Sequence, residues 1–156
     1  MTLTRLVRRD VGLINQALKA EHPYLGFSDR MTVKLDFDET DTKSTKYWAN
    51  LTLEKFTLGG YVMLQSSKNC RHVVFDRYVS WDENSSIMAW VAVLTNNIKI
   101  KDYLAMQCIK MSSTLRVIPK EDKPSPRIVY RFGSQDNAIK DFLEFRQLIK
   151  RIHRRL

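Results

Sequence analysis

Residues 32–39, Thr-Val-Lys-Leu-Asp-Phe-Asp-Glu, restrict what this chain can fold into more than any other stretch. Val33, Leu35 and Phe37 alternate with Thr32, Lys34, Asp36 and Asp38. A two-residue period suits a strand with one buried face and cannot lay a continuous apolar stripe along a helix. Residues two apart on a strand share a face, so Asp36 and Asp38 project together, with Cβ atoms roughly 7 Å apart. Two carboxylates on the open side of a sheet can share divalent cations, as metal-assisted phosphoryl chemistry requires. Glu39 and Asp41 follow closely, and a bound cation would relieve the repulsion within such a cluster. The bland alternative is a solvated strand end running into an acidic turn.

That acidic cluster sits in a basic chain. There are 26 Lys and Arg against 17 Asp and Glu, a formal charge of +9, and a pI near 9.7. Such a balance favours a polyanionic partner, nucleic acid before any anionic membrane. The 156 residues match one domain, 1–156, with a real core. Cys70 and Cys108 have no metal or redox spacing, so the expected compartment is reducing, intracellular and cytoplasmic. The longest apolar run, residues 87–94, is too short to span a bilayer, and no membrane partner is expected.

The remaining elements follow from periodicity. Residues 4–20 read as a helix that ends before Pro23, and residues 24–30 as a connector. Residues 38–46 read as a polar loop. Residues 50–56 and 61–65 read as two strands turning at Gly59-Gly60, and residues 70–76 as a third. Ser80 with Glu83 three positions on is a capping box, opening a helix to about Thr95. Residues 99–110 make another helix, 114–118 a strand, 119–126 a proline-rich loop and 127–132 a strand. Ser134 is expected to cap a last helix over 136–154, amphipathic and basic at its end through Arg146, Lys150, Arg151, Arg154 and Arg155. The order α-β-β-β-β-α-α-β-β-α predicts an α+β fold, an antiparallel-rich sheet of RRM or palm type with helices packed on one face.

Four polar residues lie on strands whose other side is apolar: Asp36, Asp38, His72 and Arg116. On one sheet they would offer carboxylates for ions and cationic groups for phosphate oxygens. Asp36-Phe37-Asp38 closing an apolar strand resembles the paired-aspartate motif of archaeo-eukaryotic primases and primase-polymerases. Residues 66–75, a turn leading to His72 on the next strand, resemble that family's small-x-His motif, with Cys70 two before the histidine. Arg116 resembles its late arginine strand, so the likeness spans residues 31–132. It implies a nucleotidyltransferase that uses Mg²⁺ or Mn²⁺ on Asp36 and Asp38 for two-metal transfer. His72 and Arg116 would contact a nucleoside triphosphate, with single-stranded DNA or RNA as the second substrate. The family's third carboxylate is missing from residues 127–132, leaving Asp76 and Asp122 as stand-ins.

Two other classes compete. One is a non-catalytic single-strand nucleic-acid-binding protein on a degenerate primase-like fold, with Arg146, Lys150, Arg151, Arg154 and Arg155 on the strand. Tyr47, Trp48 and Tyr61 would be its base-stacking candidates. The other is an interaction module that docks a protein partner through Phe142, Phe145 and Ile149 of the last helix. No Gly-rich phosphate loop and no His-x-His or His-Glu-x-x-His pattern exists, which removes P-loop and histidine-rich metal chemistry.

Overall fold

The alternation at residues 32–38 builds the inner edge of the fold. In the computed structural model, which describes residues 26–120 and 122–154, β2 (Thr32–Asp38) turns Val33, Leu35 and Phe37 into the core. It is preceded by a short strand β1 (Gly26–Asp29) and followed by α1 (Thr42–Phe56), β3 (Gly60–Ser67) and β4 (Cys70–Tyr78). Then come α2 (Trp81–Thr95), α3 (Ile98–Lys110), β5 (Ser113–Arg116), β6 (Arg127–Gly133) and α4 (Ala138–His153). The helix expected over 4–20 lies outside the described residues, as does Arg155.

The α+β expectation holds. A four-stranded antiparallel sheet runs β2-β4-β3-β6, and β1 pairs with β5 in a separate two-stranded sheet. The helices, however, divide between the two faces of the main sheet. Tyr61, Met63, Val73 and Phe75 join Ala49 of α1, Ile87 and Met88 of α2 and Ile100 of α3 in one apolar cluster. Val62, Leu64 and Val74 join Ile139, Phe142, Ile149 and Ile152 of α4, with Leu115 and Val117, in the other. Both β3 and β4 are apolar on both sides over these residues, so each face needs a cover.

Residues 42–56 correct the expected loop and strand. Asp41 caps α1 by accepting from the Ser44 backbone N–H at 2.7 Å. The buried positions of α1 are Thr45, Ala49 and Thr52, which sit at helical spacing but are small or polar. Its inward face therefore leaves no apolar signature. Gly59-Gly60 serves as a helix-to-strand link and not a hairpin turn, with Gly59 at φ +79°. A Cβ on Gly60 would stand 2.1 Å from the Ser134 carbonyl oxygen, so only glycine lets that segment lie against β3.

Ser80 caps α2 as expected, accepting from the Glu83 N–H at 3.1 Å. Ser134 does not cap α4. Its hydroxyl donates to Asp76, whose carboxylate also accepts from the backbone N–H groups of Asn137 and Ile139, each at 3.0 Å. A buried carboxylate on β4 thus satisfies the first turn of α4, where the helix dipole favours negative charge. Phe142 and Ile149 are spent on the core, and Phe145 meets the Phe27 ring edge-on at 5.2 Å. The apolar side of α4 therefore serves largely as an internal packing surface. No helix among the described residues is long and apolar enough to cross a membrane.

Candidate functional site

The register of β2 on β4 decides which side chains meet. Asp36 lies opposite His72 and Asp38 opposite Cys70, and directly opposed residues share a face. The His72 Nε2 stands 3.6 Å from the Asp36 Oδ1, beyond hydrogen-bonding distance. A one-residue slip would bury both aspartates, so Val33, Leu35 and Phe37 hold the site open by being apolar.

α3 and β5 form the opposite wall. The Tyr103 hydroxyl donates to the Lys34 carbonyl at 3.1 Å, and the Gln107 side chain accepts from the Thr114 N–H at 3.0 Å. These bonds fix Lys110 at the end of α3, where its Nζ donates to Thr114 Oγ1 at 3.0 Å. The chain then runs through β5 into a tight turn in which Lys120 and Lys123 exchange backbone hydrogen bonds of 2.9 and 2.8 Å. Between these walls lies a cleft of about 230 Å³ that brings Asp36, Asp38 and His72 together with Lys110, Lys120 and Lys123. Arg116 and Cys70 also line it.

Arg116 spends donors on the protein itself. Its guanidinium reaches the carbonyls of Ile118 at 2.6 Å, Pro124 at 2.8 Å and Ser66 at 2.9 Å. It thereby ties the loop carrying Lys120 and Lys123 to the β3–β4 hairpin. The sequence order pointed to Arg116 but not to the three lysines. Lys120 and Lys123 sit in a proline-rich loop that reads as plain surface, and Lys110 ends a weakly periodic helix.

Burial, and then the neighbouring Asp38 charge, push the Asp36 carboxyl up to about 7. Its Oδ1 is buried and has no hydrogen-bond partner. Burial, followed by the Arg116 charge, pushes His72 down to about 3, so the imidazole is neutral at physiological pH. In that form it can exchange a hydrogen bond with a phosphate but brings no charge of its own. The Cys70 thiol is raised by burial and by its hydrogen bond to Asp38.

These residues fit one kind of metal site and not another. Two hard oxygen donors, one with an orphaned buried oxygen, suit a Mg²⁺-like ion that arrives with substrate phosphates and keeps some of its waters. Among the described residues, no three His, Cys, Asp or Glu side chains are grouped to hold an ion on their own. Neither stand-in supplies a third carboxylate to the cleft. Asp76 is occupied at the start of α4, and Asp122 lines the groove next door.

The other expected residues are placed elsewhere. Arg146, Lys150, Arg151 and Arg154 do not line the cleft; they belong to α4 and its end. Burial, then the Arg131 charge, lowers Arg146, and burial, then Arg146 and Arg154, lowers Lys150. Tyr61 is fully buried, with its hydroxyl on Asn50 at 3.0 Å, and Trp48 packs on the core, so neither offers a free ring face. Tyr47 is exposed but meets Trp48 edge-on. Comparison with family models, curated proteins and solved structures finds no match, so the chemistry of the cleft rests on its own residues.

Proposed function

We propose that this chain is a nucleotidyltransferase of primase-polymerase type that acts on nucleoside triphosphates at a nucleic-acid end. The observation that supports it is the single cleft in which paired aspartates face three lysines. Carboxylates alone repel a phosphate chain and lysines alone would bind any anion. Together they suit a polyphosphate that brings its own divalent ion. Asp36 and Asp38 would hold Mg²⁺ or Mn²⁺, which when bound polarises the phosphoryl oxygens. Lys110, Lys120 and Lys123 take the remaining phosphate charge, fixed in place before the reaction. His72, being neutral, positions a phosphate oxygen by a hydrogen bond, and Arg116 holds the loop that bears two of the lysines.

The second reading is a non-catalytic binder of single-stranded nucleic acid, favoured by the lack, among the described residues, of a third carboxylate in the cleft. Calorimetry with Mn²⁺ and a nucleoside triphosphate separates the two, followed by primer extension and dinucleotide synthesis. The proposal requires metal-dependent nucleotide binding and product formation, both lost in the Asp36→Asn, Asp38→Asn double variant. Strand binding without either result selects the second reading.

A further inference from the structure

A second depression adjoins the candidate site. It measures about 630 Å³ and lies between the β3–β4 turn and the loop of residues 122–126. Lys68, Lys123 and Arg127 line it, with Asp122 the one acid among the described residues that do so. Ser67 and Lys123 line both depressions, so the groove adjoins the cleft. Its walls are braced. Arg71 donates to the carbonyls of Lys68 at 3.1 Å and Cys70 at 3.2 Å, while Arg116 holds Pro124.

A second group of positive charges lies on the α4 face of β6. Arg146 of α4 donates to the Pro126 carbonyl at 2.8 Å, next to Arg127, and lies close enough to Arg131 of β6 for their charges to interact. None of the ion pairs among the described residues engages Lys68, Lys123, Arg127, Arg131 or Arg146. Like charges held close together raise the energy of the folded chain, and a polyanion lowers it.

We infer that this groove seats a single strand of nucleic acid, whose phosphates run past Arg127 and Lys68 and whose end enters the cleft beside Lys123. The inference rests on the nucleic-acid side of the reading above and not on catalysis. The volume is that of a small-ligand site, on the scale of about one or two nucleotides of a strand that crosses it. A flat anionic membrane fits worse, since the surface is concave and none of the exposed large apolar side chains lines it.

The test is fluorescence anisotropy of a labelled oligothymidylate of about twelve nucleotides, with the full chain in chelator, titrated at several salt concentrations. Wild-type affinity should fall steeply with salt, each phosphate contact adding about 0.7 to the logarithmic slope. Lys68→Glu with Arg127→Glu should bind at least about tenfold more weakly at low salt and flatten the slope by about 1.4. Both side chains are exposed, and circular dichroism checks that the fold is kept. Lys55→Glu with Lys140→Glu, exposed at the end of α1 and the start of α4 and away from the β3–β4 turn, should bind like the wild type. Unchanged binding by the groove variant overturns the inference, and so does an equal loss in the control pair. Phosphatidylserine vesicles that bind through the same two residues, with oligonucleotide binding unaffected, would make the occupant a membrane and overturn it too. Asp36→Asn with Asp38→Asn removes carboxylates that repel phosphate, so in chelator it should bind the strand at least as tightly as the wild type. A failed nucleotide reading therefore leaves this result standing, and a failed groove leaves the nucleotide reading standing.

Discussion

Asp36→Asn should make the metal-free protein more stable, and only above a defined pH. The Asp36 carboxyl is held at about 7 in the fold against an ordinary 3.8, by burial and then by Asp38. A folded-state value above the unfolded one means that the protonated form supports folding. That contribution is complete below about pH 4 and is lost as pH rises through 7. At about 1.4 kcal/mol per pH unit, the rise from 3.8 to about 7 sets an upper bound of about 4 kcal/mol lost by the wild type. The amide cannot ionise, so the variant escapes the loss. In EDTA the two proteins should melt together near pH 4 and separate by roughly 10 °C at pH 8, taking 2–4 °C per kcal/mol for a domain of this size. Thermal melts by circular dichroism from pH 4 to 8.5 read the difference directly, since shared titrations cancel. Adding Mn²⁺ with a nucleoside triphosphate at pH 8 should stabilise the wild type and leave the variant unmoved. A gap that does not depend on pH, or a variant less stable at pH 8, would refute the electrostatic account of the site.

Lys34 reports on the opposite sign. It is fully buried beside Asp29 at 2.5 Å, and desolvation lowers it to about 8 despite that partner. A depressed lysine costs stability in full below about pH 8 and progressively less as pH rises to 10.5, so urea denaturation of the wild type should show stability rising from pH 8 to about 10.5, and Lys34→Met should abolish the rise. Asp76→Ala strips the first turn of α4 of its acceptor and should cost about 3 kcal/mol in denaturant melts, with Mn²⁺ binding unchanged. Loss of Mn²⁺ binding there would instead make Asp76 a ligand. His72→Ala should reduce nucleotide use by roughly 10²–10³-fold while sparing Mn²⁺ affinity measured by calorimetry.

The most legible parts of the chain were those in which local chemistry and tertiary demand coincide. The 32–38 strand, the hairpin into His72, the Ser80 cap and the strand of residues 127–132 were all readable, because alternation, turn residues and caps are written within a few positions. Residues 42–56 were misread because the inner face of α1 is Thr45, Ala49 and Thr52. Packing against the sheet selects small side chains there, which erases the periodicity that marks a helix. The capping role of Asp76 was invisible for a related reason, since its partners lie about 60 positions away.

By itself the sequence determined that Asp36, Asp38 and His72 stand on strands with apolar backs, and that the chain as a whole is strongly cationic. A strand's period and a chain's charge are local or additive quantities. Only the tertiary structure decided that β4 lies between β2 and β3, so that His72 faces Asp36 while Asp76 serves a helix start. It alone brought Lys110, Lys120 and Lys123 to the aspartates, from a helix end and a loop, and turned Arg116 into the tie that holds the loop. Those outcomes depend on strand order and on which segments cross above a sheet. Both are set by the burial of two apolar faces at once, and no short stretch of sequence encodes that.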